Sequence, residues 1–245
     1  MTDPIFDVID ATWPAAATHR AGGFLLREGK GGGKRVSAAS ATGAWSDHDI
    51  AQAEAQHRAL GQDALFMIRP EDQALDDALA RRGYQMIDPV VALSAPIKRL
   101  ATETAPPITA FCLWPPLQIM RDIWAEDGIG PGRLAVMDRA TGPKCAVLGR
   151  AEDRAAGAGF VGLHQGTAML HALCVLPQLR RRGLARWMLR ESAHWAQARG
   201  AHSYCLVVTR ANAGAIAFYE SLGMVQTTQY HYRIQSGSDG NGSKP

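Results

Sequence analysis

The residues best placed to do chemistry fall in one stretch, 170–199. A strand-like run, Leu170-His171-Ala172-Leu173-Cys174-Val175-Leu176, stops at Pro177, and Arg180-Arg181-Arg182-Gly183-Leu184-Ala185 then opens a long helix. That order suits a diphosphate. A strand end offers free backbone groups, a turn of small residues lets main-chain N–H groups surround an anion, and the positive end of the helix dipole attracts it. Gly183 and Ala185 are the small residues, and Arg180, Arg181 and Arg182 add cationic donors beyond what a structural helix start requires. Taken alone, the pattern also fits an ordinary strand-turn-helix with a solvated arginine face.

Downstream, a second strand over 203–209 leads to Asn212-x-x-Ala215-x-x-Phe218-Tyr219-Glu220-Ser221-Leu222-Gly223-Met224. Together with Arg180-x-x-Gly183-x-Ala185 after a Val-x-Pro strand end, this resembles the GNAT superfamily of acyl-CoA-dependent N-acyltransferases. Their pyrophosphate loop reads Q/R-x-x-G-x-G/A, and their second half sets an Asn and a Tyr-bearing helix beside the thioester. Met224 stands where the family usually has Phe, and methionine fills apolar space adaptably. The resemblance covers roughly the last hundred residues, one domain. It implies the GNAT fold: an α/β (α+β) protein with a mixed, mostly antiparallel, splayed sheet flanked by helices. It also implies acetyl-CoA as co-substrate, an amine acceptor, and direct transfer of acetyl to a primary amine in a ternary complex. The alternative is a non-catalytic acyl-CoA-sensing or regulatory module on the same cradle. Retention of Tyr219 favours catalysis, because a sensor has no leaving thiolate to protonate.

Acyl transfer needs the thioester held, its carbonyl polarised, the amine deprotonated and the leaving thiolate protonated. On the resemblance, Arg180, Arg181, Arg182, Gly183 and Ala185 grip the pyrophosphate, while Leu173 and Val175 offer backbone groups to the pantetheine arm. Asn212 flanks the thioester and caps a helix at once, and Tyr219 is the general acid. An isolated Tyr in Phe-Tyr-Glu would be read as packing on a helix face; its place seven residues after Asn212 and four before Gly223 gives it the role. For the base, strand alternation sets Met169, His171, Leu173 and Val175 on one face and Cys174 on the other. His171, whose ordinary pKa lies near neutrality, can then point toward the thioester carbonyl, although a lone strand histidine is usually a satisfied core residue. Glu126, Asp127 and Tyr232 are further candidates for the base, and Cys174 as a nucleophile is disfavoured by its opposite parity.

Composition narrows the rest. The chain has 245 residues, 47% hydrophobic and 20% charged, enough for a real core in one large or two small domains. A net charge of +3 with no basic run beyond the arginines leaves no footprint for nucleic acid. Cys112, Cys145, Cys174 and Cys205 sit in apolar strand-like runs without C-x-x-C spacing, so buried free thiols in a reducing cytosol are expected rather than disulfides or zinc. The remaining histidines have no metal-ligand spacing, and no metal is expected. Nothing at the start resembles a signal peptide and no apolar run approaches membrane-spanning length. A cytoplasmic monomer or homodimer with no membrane partner is expected.

The elements that must position this site read as follows. Ile5, Phe6 and Ile9 predict a helix over 3–12. Strands over 23–29 and 34–40 flank Lys30-Gly31-Gly32-Gly33, a hairpin turn that lacks the Gly-x-x-x-x-Gly-Lys-Ser/Thr order of a nucleotide loop. A helix over 47–60, a strand over 63–69 and a helix over 72–82 come next. Gly61, strand, helix, Arg82-Gly83-Tyr84, strand echoes Gly200, strand, helix, Leu222-Gly223-Met224, strand, at offsets of 139 and 140 residues. Such spacing suggests an internal repeat, an unrelated α/β domain being the alternative. The expected layout is therefore a truncated GNAT-like half without an acyl-CoA loop over 1–97, a proline-stiffened linker over 98–107, a catalytic domain over 108–235, and a disordered Gly/Ser-rich tail over 236–245. Within the catalytic domain the reading gives a strand over 108–114, a helix over 115–125, an acceptor-binding loop over 126–132, and strands over 144–152 and 157–165.

Overall fold

A computed structural model describes residues 4–235, so the tail expected over 236–245 lies outside the described residues. Among the described residues the chain forms two compact units: one comprises residues 4–14 together with Val91–Thr228, the other Ala15–Val90 together with residues 229–235. The sequence layout cuts the chain at 97 and 108, whereas these units divide it after Pro14, Val90 and Thr228. Two long strands, β5 (Gln85–Pro96) and β11 (Val225–Gln235), each begin in one unit and end in the other. The expected linker opens with a helical turn, α4 (Ile97–Leu100), whose Ile97 and Leu100 are buried.

The first unit starts with α1 (Pro4–Thr12), which buries Ile5, Phe6, Val8 and Ile9. The remaining elements in chain order are β6 (Ala110–Leu113), α5 (Gln118–Glu126), α6 (Pro131–Arg139), β7 (Lys144–Ala151), β8 (Arg154–His164), β9 (Thr167–Val175), α7 (Leu184–Gln197), β10 (Ser203–Thr209) and α8 (Ala213–Ser221). With the portions of β5 and β11 that belong here, the strand order is β11-β5-β10-β9-β8-β7-β6. The meander from β6 to β9 is antiparallel, and β9 to β10 is parallel. Helix α7 buries Leu184, Met188, Leu189, Ala193 and Ala196, the three-to-four-residue spacing of an amphipathic stripe. Its close approach relies on glycine: a Cβ at Gly149 or Gly157 would stand 2.4 or 2.8 Å from the Met188 sulfur. Helix α6, within and beyond the stretch read as a loop, begins with Pro131 in its first turn behind Gly130, a proline-led helix start.

The second unit holds a small antiparallel sheet of β1 (Ala17–Ala21), β2 (Phe24–Glu28) and β3 (Ser40–Ala41), helix α2 (Asp47–Ala59), strand β4 (Ala64–Ile68) and helix α3 (Gln73–Arg81). Phe24, Leu26, Phe66, Leu75, Leu79 and Tyr84 form its core. A reciprocal Ser46–Asp49 capping box starts α2. The hairpin predicted around Lys30–Gly33 is not formed. The tight hairpin of β2 is with β1, through Gly22-Gly23; β3 pairs with β2 only at Ser40 and Ala41, after a long connection in which Lys34–Val36 is a short 3-10 turn. The cause is a buried cation: Arg27 donates to the Ala38 carbonyl and the Ser40 hydroxyl, and these bonds hold 34–40 as a loop over β2.

Candidate active site

The turn after β9 has the conformation its sequence suggests. Pro177–Leu179 make a 3-10 turn, Arg181 adopts φ 64°, and Gly183 caps α7 in the left-handed region at φ 82°. A glycine at this point lets the chain double back so that the first amide groups of α7 are directed out of the turn. The turn borders a cleft of about 1060 Å3. Leu173, Val175, Arg180, Arg181, Gly183 and Ala185 line it, and so do Asn212 and Tyr219 from the second motif. The parallel pairing of β9 with β10 ends at Leu170 and Leu206, so residues 173–175, still beside β8, have no strand on the β10 side, where they border the cleft.

The arginines divide. Arg180 folds back along β9, its Nε donating to the Val175 carbonyl at 2.8 Å and its Nη2 lying 3.5 Å from Asp127 Oδ1. Arg181 lines the cleft. Arg182, expected in the cradle, does not: it pairs with Glu152 on the β7–β8 turn. Its place is taken by Arg186 and Arg190, one helical turn apart on α7, with Trp187 between them. The Arg190 guanidinium lies 5.1 Å from the Trp187 ring centroid and 2.6 Å from Glu103 Oε2. Sequence reading missed these three because helix-surface arginines are common; their signal was an i, i+4 pair directly downstream of the glycine.

Tyr219 is 8% exposed, and burial pushes its phenol up to about 12. The hydroxyl therefore keeps its proton throughout the neutral range, the state a general acid requires. Asn212 accepts from the Ala215 amide at 3.1 Å and so caps α8, as expected, while bordering the cleft.

His171 is placed elsewhere. The β8–β9 ladder pairs Phe160 with His171 and Ala158 with Cys174, leaving one residue between them on β8 against two on β9. The extra residue is a bulge at Ala172, whose φ is 50°. Because Phe160 and Ala158 share a face, His171 and Cys174 share it too, and Leu173 and Val175 face the other way. The expected parity is thus reversed beyond Ala172. His171 is 3% exposed, its Nε2 lies 2.9 Å from the Thr12 hydroxyl and its ring stacks on Trp13 at 4.9 Å; it does not line the cleft. Cys174 does line it, as a thiol: burial pushes it up to about 12, and its sulfur donates to the Ala158 carbonyl. The indole of Trp124 donates to the Ala172 carbonyl at 2.8 Å and so ties the bulge to α5. Asp127, at the end of α5, brings a carboxylate to the cleft, whereas Glu126 does not line it. Among the described residues no cluster of His, Cys, Asp and Glu could hold a metal ion, and no helix is long and apolar enough to cross a membrane.

Comparison with known proteins agrees with this geometry. A profile described as the acetyltransferase (GNAT) family matches residues 117–224. A Bacillus subtilis (strain 168) protein named "Uncharacterized N-acetyltransferase YobR" is 25% identical over 238 residues, 92% of this chain and 95% of that protein. A GCN5-related N-acetyltransferase from Kribbella flavida superposes with a TM-score of 0.67 at 16% identity, covering 96% of this chain and 95% of its own. A tandem GNAT protein from the clavulanic acid biosynthesis pathway gives 0.61 at 14% identity, covering 97% of this chain and 90% of its own. The mixed, mostly antiparallel sheet flanked by helices is the fold these structures share, and residues 117–224 of this chain match the acetyltransferase (GNAT) family.

Proposed function

We propose that the protein moves an acetyl group from acetyl-CoA directly to a primary amine in a ternary complex. The observation that best supports this reading is that the glycine-led turn and the buried Tyr219 phenol border a single cleft. The amides at the start of α7, with Arg181, Arg186 and Arg190, take the phosphates. The backbone of Leu173 to Val175 takes the pantetheine amides as a neighbouring strand would. The amine nitrogen attacks the thioester carbon, the C–S bond breaks, and the departing sulfur takes the Tyr219 proton, which the proton lost by the amine replaces. Its place among stacked rings leaves His171 no part in this route.

The second unit reads as a GNAT-like repeat without chemistry. Helices α3 and α8 are both nine residues long and are followed by glycines at φ 84° and 81°. The amides of Tyr84 and Met224 close the two turns onto Leu79 and Tyr219 respectively. Leu79 thus stands at the position of the tyrosine, and no Arg-x-x-Gly-x-Ala turn precedes α2. The likeness to a tandem GNAT protein supports the same reading.

Thiol release from acetyl-CoA with a panel of primary amines tests the activity. The expected result is amine-dependent release that falls about 10- to 1,000-fold in Tyr219→Phe, with coenzyme A affinity retained. Tight coenzyme A binding without turnover on any amine would favour an acyl-CoA sensor, and absence of binding would end the acyl-CoA reading.

A further inference from the structure

Two carboxylates, Glu103 and Asp127, line the cleft, and each is held by an arginine of the same cleft. They stand at different places. Glu103 is bound to α7 through Arg190 and, by its carbonyl, His194. Asp127 closes α5 three residues after Trp124, which holds the β9 bulge, and its charge acts on Cys174, a cleft residue of the bulge face. Asp127 therefore sits at the strand end, where the thioester would meet its acceptor. Its counter-ion, Arg180, has a second engagement: the same guanidinium covers the Val175 carbonyl, a group the pantetheine arm needs.

On the acetyl-transfer reading above, we propose that Asp127 anchors an ammonium group that a cationic acceptor carries beside its neutral, reacting amine, and that Arg180 withholds this anchor until acyl-CoA is bound. A diphosphate outbids one carboxylate for a guanidinium, because it offers more charge and bidentate oxygens. When Arg180 turns to the pyrophosphate, two groups are released together: the Val175 carbonyl for the pantetheine arm, and the Asp127 carboxylate, now without a counter-charge, for a cation. Binding becomes ordered, acyl-CoA before amine, and the amine site carries a negative charge only when there is an acetyl group to transfer. Coupling of this kind is reciprocal, so whatever loosens the Arg180–Asp127 contact tightens acyl-CoA.

Two variants pull the site in opposite directions. Asp127→Asn releases Arg180, so coenzyme A titrated calorimetrically should bind about two- to fivefold more tightly, the worth of a half-exposed ion pair. The KM of the best primary amine from a panel that includes 1,4-diaminobutane and short peptides should rise at least about tenfold, since a charge-assisted contact is lost. Arg180→Gln should weaken coenzyme A while leaving amine KM unchanged or lower. Asp127 is nearly half exposed, so both folded proteins are expected, and thermal unfolding checks this. Wild-type protein that binds no coenzyme A would end the acetyl-transfer reading itself. Wild-type protein that binds it and turns over, with Asp127→Asn unchanged in both coenzyme A affinity and amine KM, would overturn the anchor alone.

Discussion

At the scale of the residue, the site depends on a few positions where backbone shape, not side-chain chemistry, decides. Gly183 is the clearest. A Cβ there would meet nothing within 4 Å, so space does not select glycine; the left-handed φ of 82° does. Gly183→Ala is expected to cost about 1 kcal/mol of stability. It should also raise the KM for acetyl-CoA more than it lowers kcat, because the strain relaxes by turning the first α7 amides out of register with the phosphates. Steady-state kinetics beside thermal unfolding would separate the two effects; an unchanged KM would remove the turn from phosphate binding. This position, with Arg180, Arg181, Ala185, Asn212 and Tyr219, was legible because family motif and local physics coincide in a short stretch. Arg182 was not, since a run of three arginines does not say which way each side chain turns; Glu152, 30 residues away in sequence, decides it.

At the scale of the element, helices with clear periodicity were legible: α1, α2 and α3 fall within a residue or two of their expected spans. What failed was whatever distant partners impose. Segment 34–40 reads as a strand, yet the buried Arg27 guanidinium claims its Ala38 carbonyl and Ser40 hydroxyl groups. The bulge at Ala172 was invisible because its residue is neither glycine nor asparagine, and it reverses the facing of everything after it; that is why His171 lies among rings and not beside Tyr219. Trp124 holds this irregularity, and Trp124→Phe tests its importance. The replacement keeps the ring packed but leaves the Ala172 carbonyl without its 2.8 Å donor. A lost buried hydrogen bond costs about 1–3 kcal/mol, and a shift of the bulge should lower kcat while the KM for acetyl-CoA stays close to wild type. Equal loss in both parameters, or none, would make the indole a packing residue only.

At the scale of the whole molecule, the notable feature is how the chain is shared: residues 229–235 belong with Ala15–Val90, far from them in sequence. No boundary signal in the sequence could announce this, because β5 and β11 are continuous strands across the division. Within the second unit the return is fixed by charge. His231 to Gln235 pair antiparallel with β4, and Arg233 grips the buried Asp76 of α3, Nε to Oδ1 at 2.7 Å and Nη2 to Oδ2 at 3.2 Å, with His231 on the same carboxylate at 2.8 Å. Hydrogen bonding by Arg233, then by His231, holds the Asp76 carboxyl below its ordinary range. A carboxyl whose folded pKa is depressed stabilises the fold fully above its unfolded value, about 4, and loses that contribution as pH falls through the lower folded value. Arg233→Met, which strands the buried carboxylate, should therefore cost up to about 3 kcal/mol at pH 7. The gap from wild type should narrow as the pH falls, first because the variant's Asp76, buried and no longer held down by Arg233, takes up its proton, and then as the wild-type carboxyl does so at lower pH. Urea unfolding midpoints measured at pH 7 and pH 3.5 decide the matter: a gap of the same size at both would mean that Arg233 holds β11 by packing and by its bond to the Tyr84 carbonyl, not by the charge on α3.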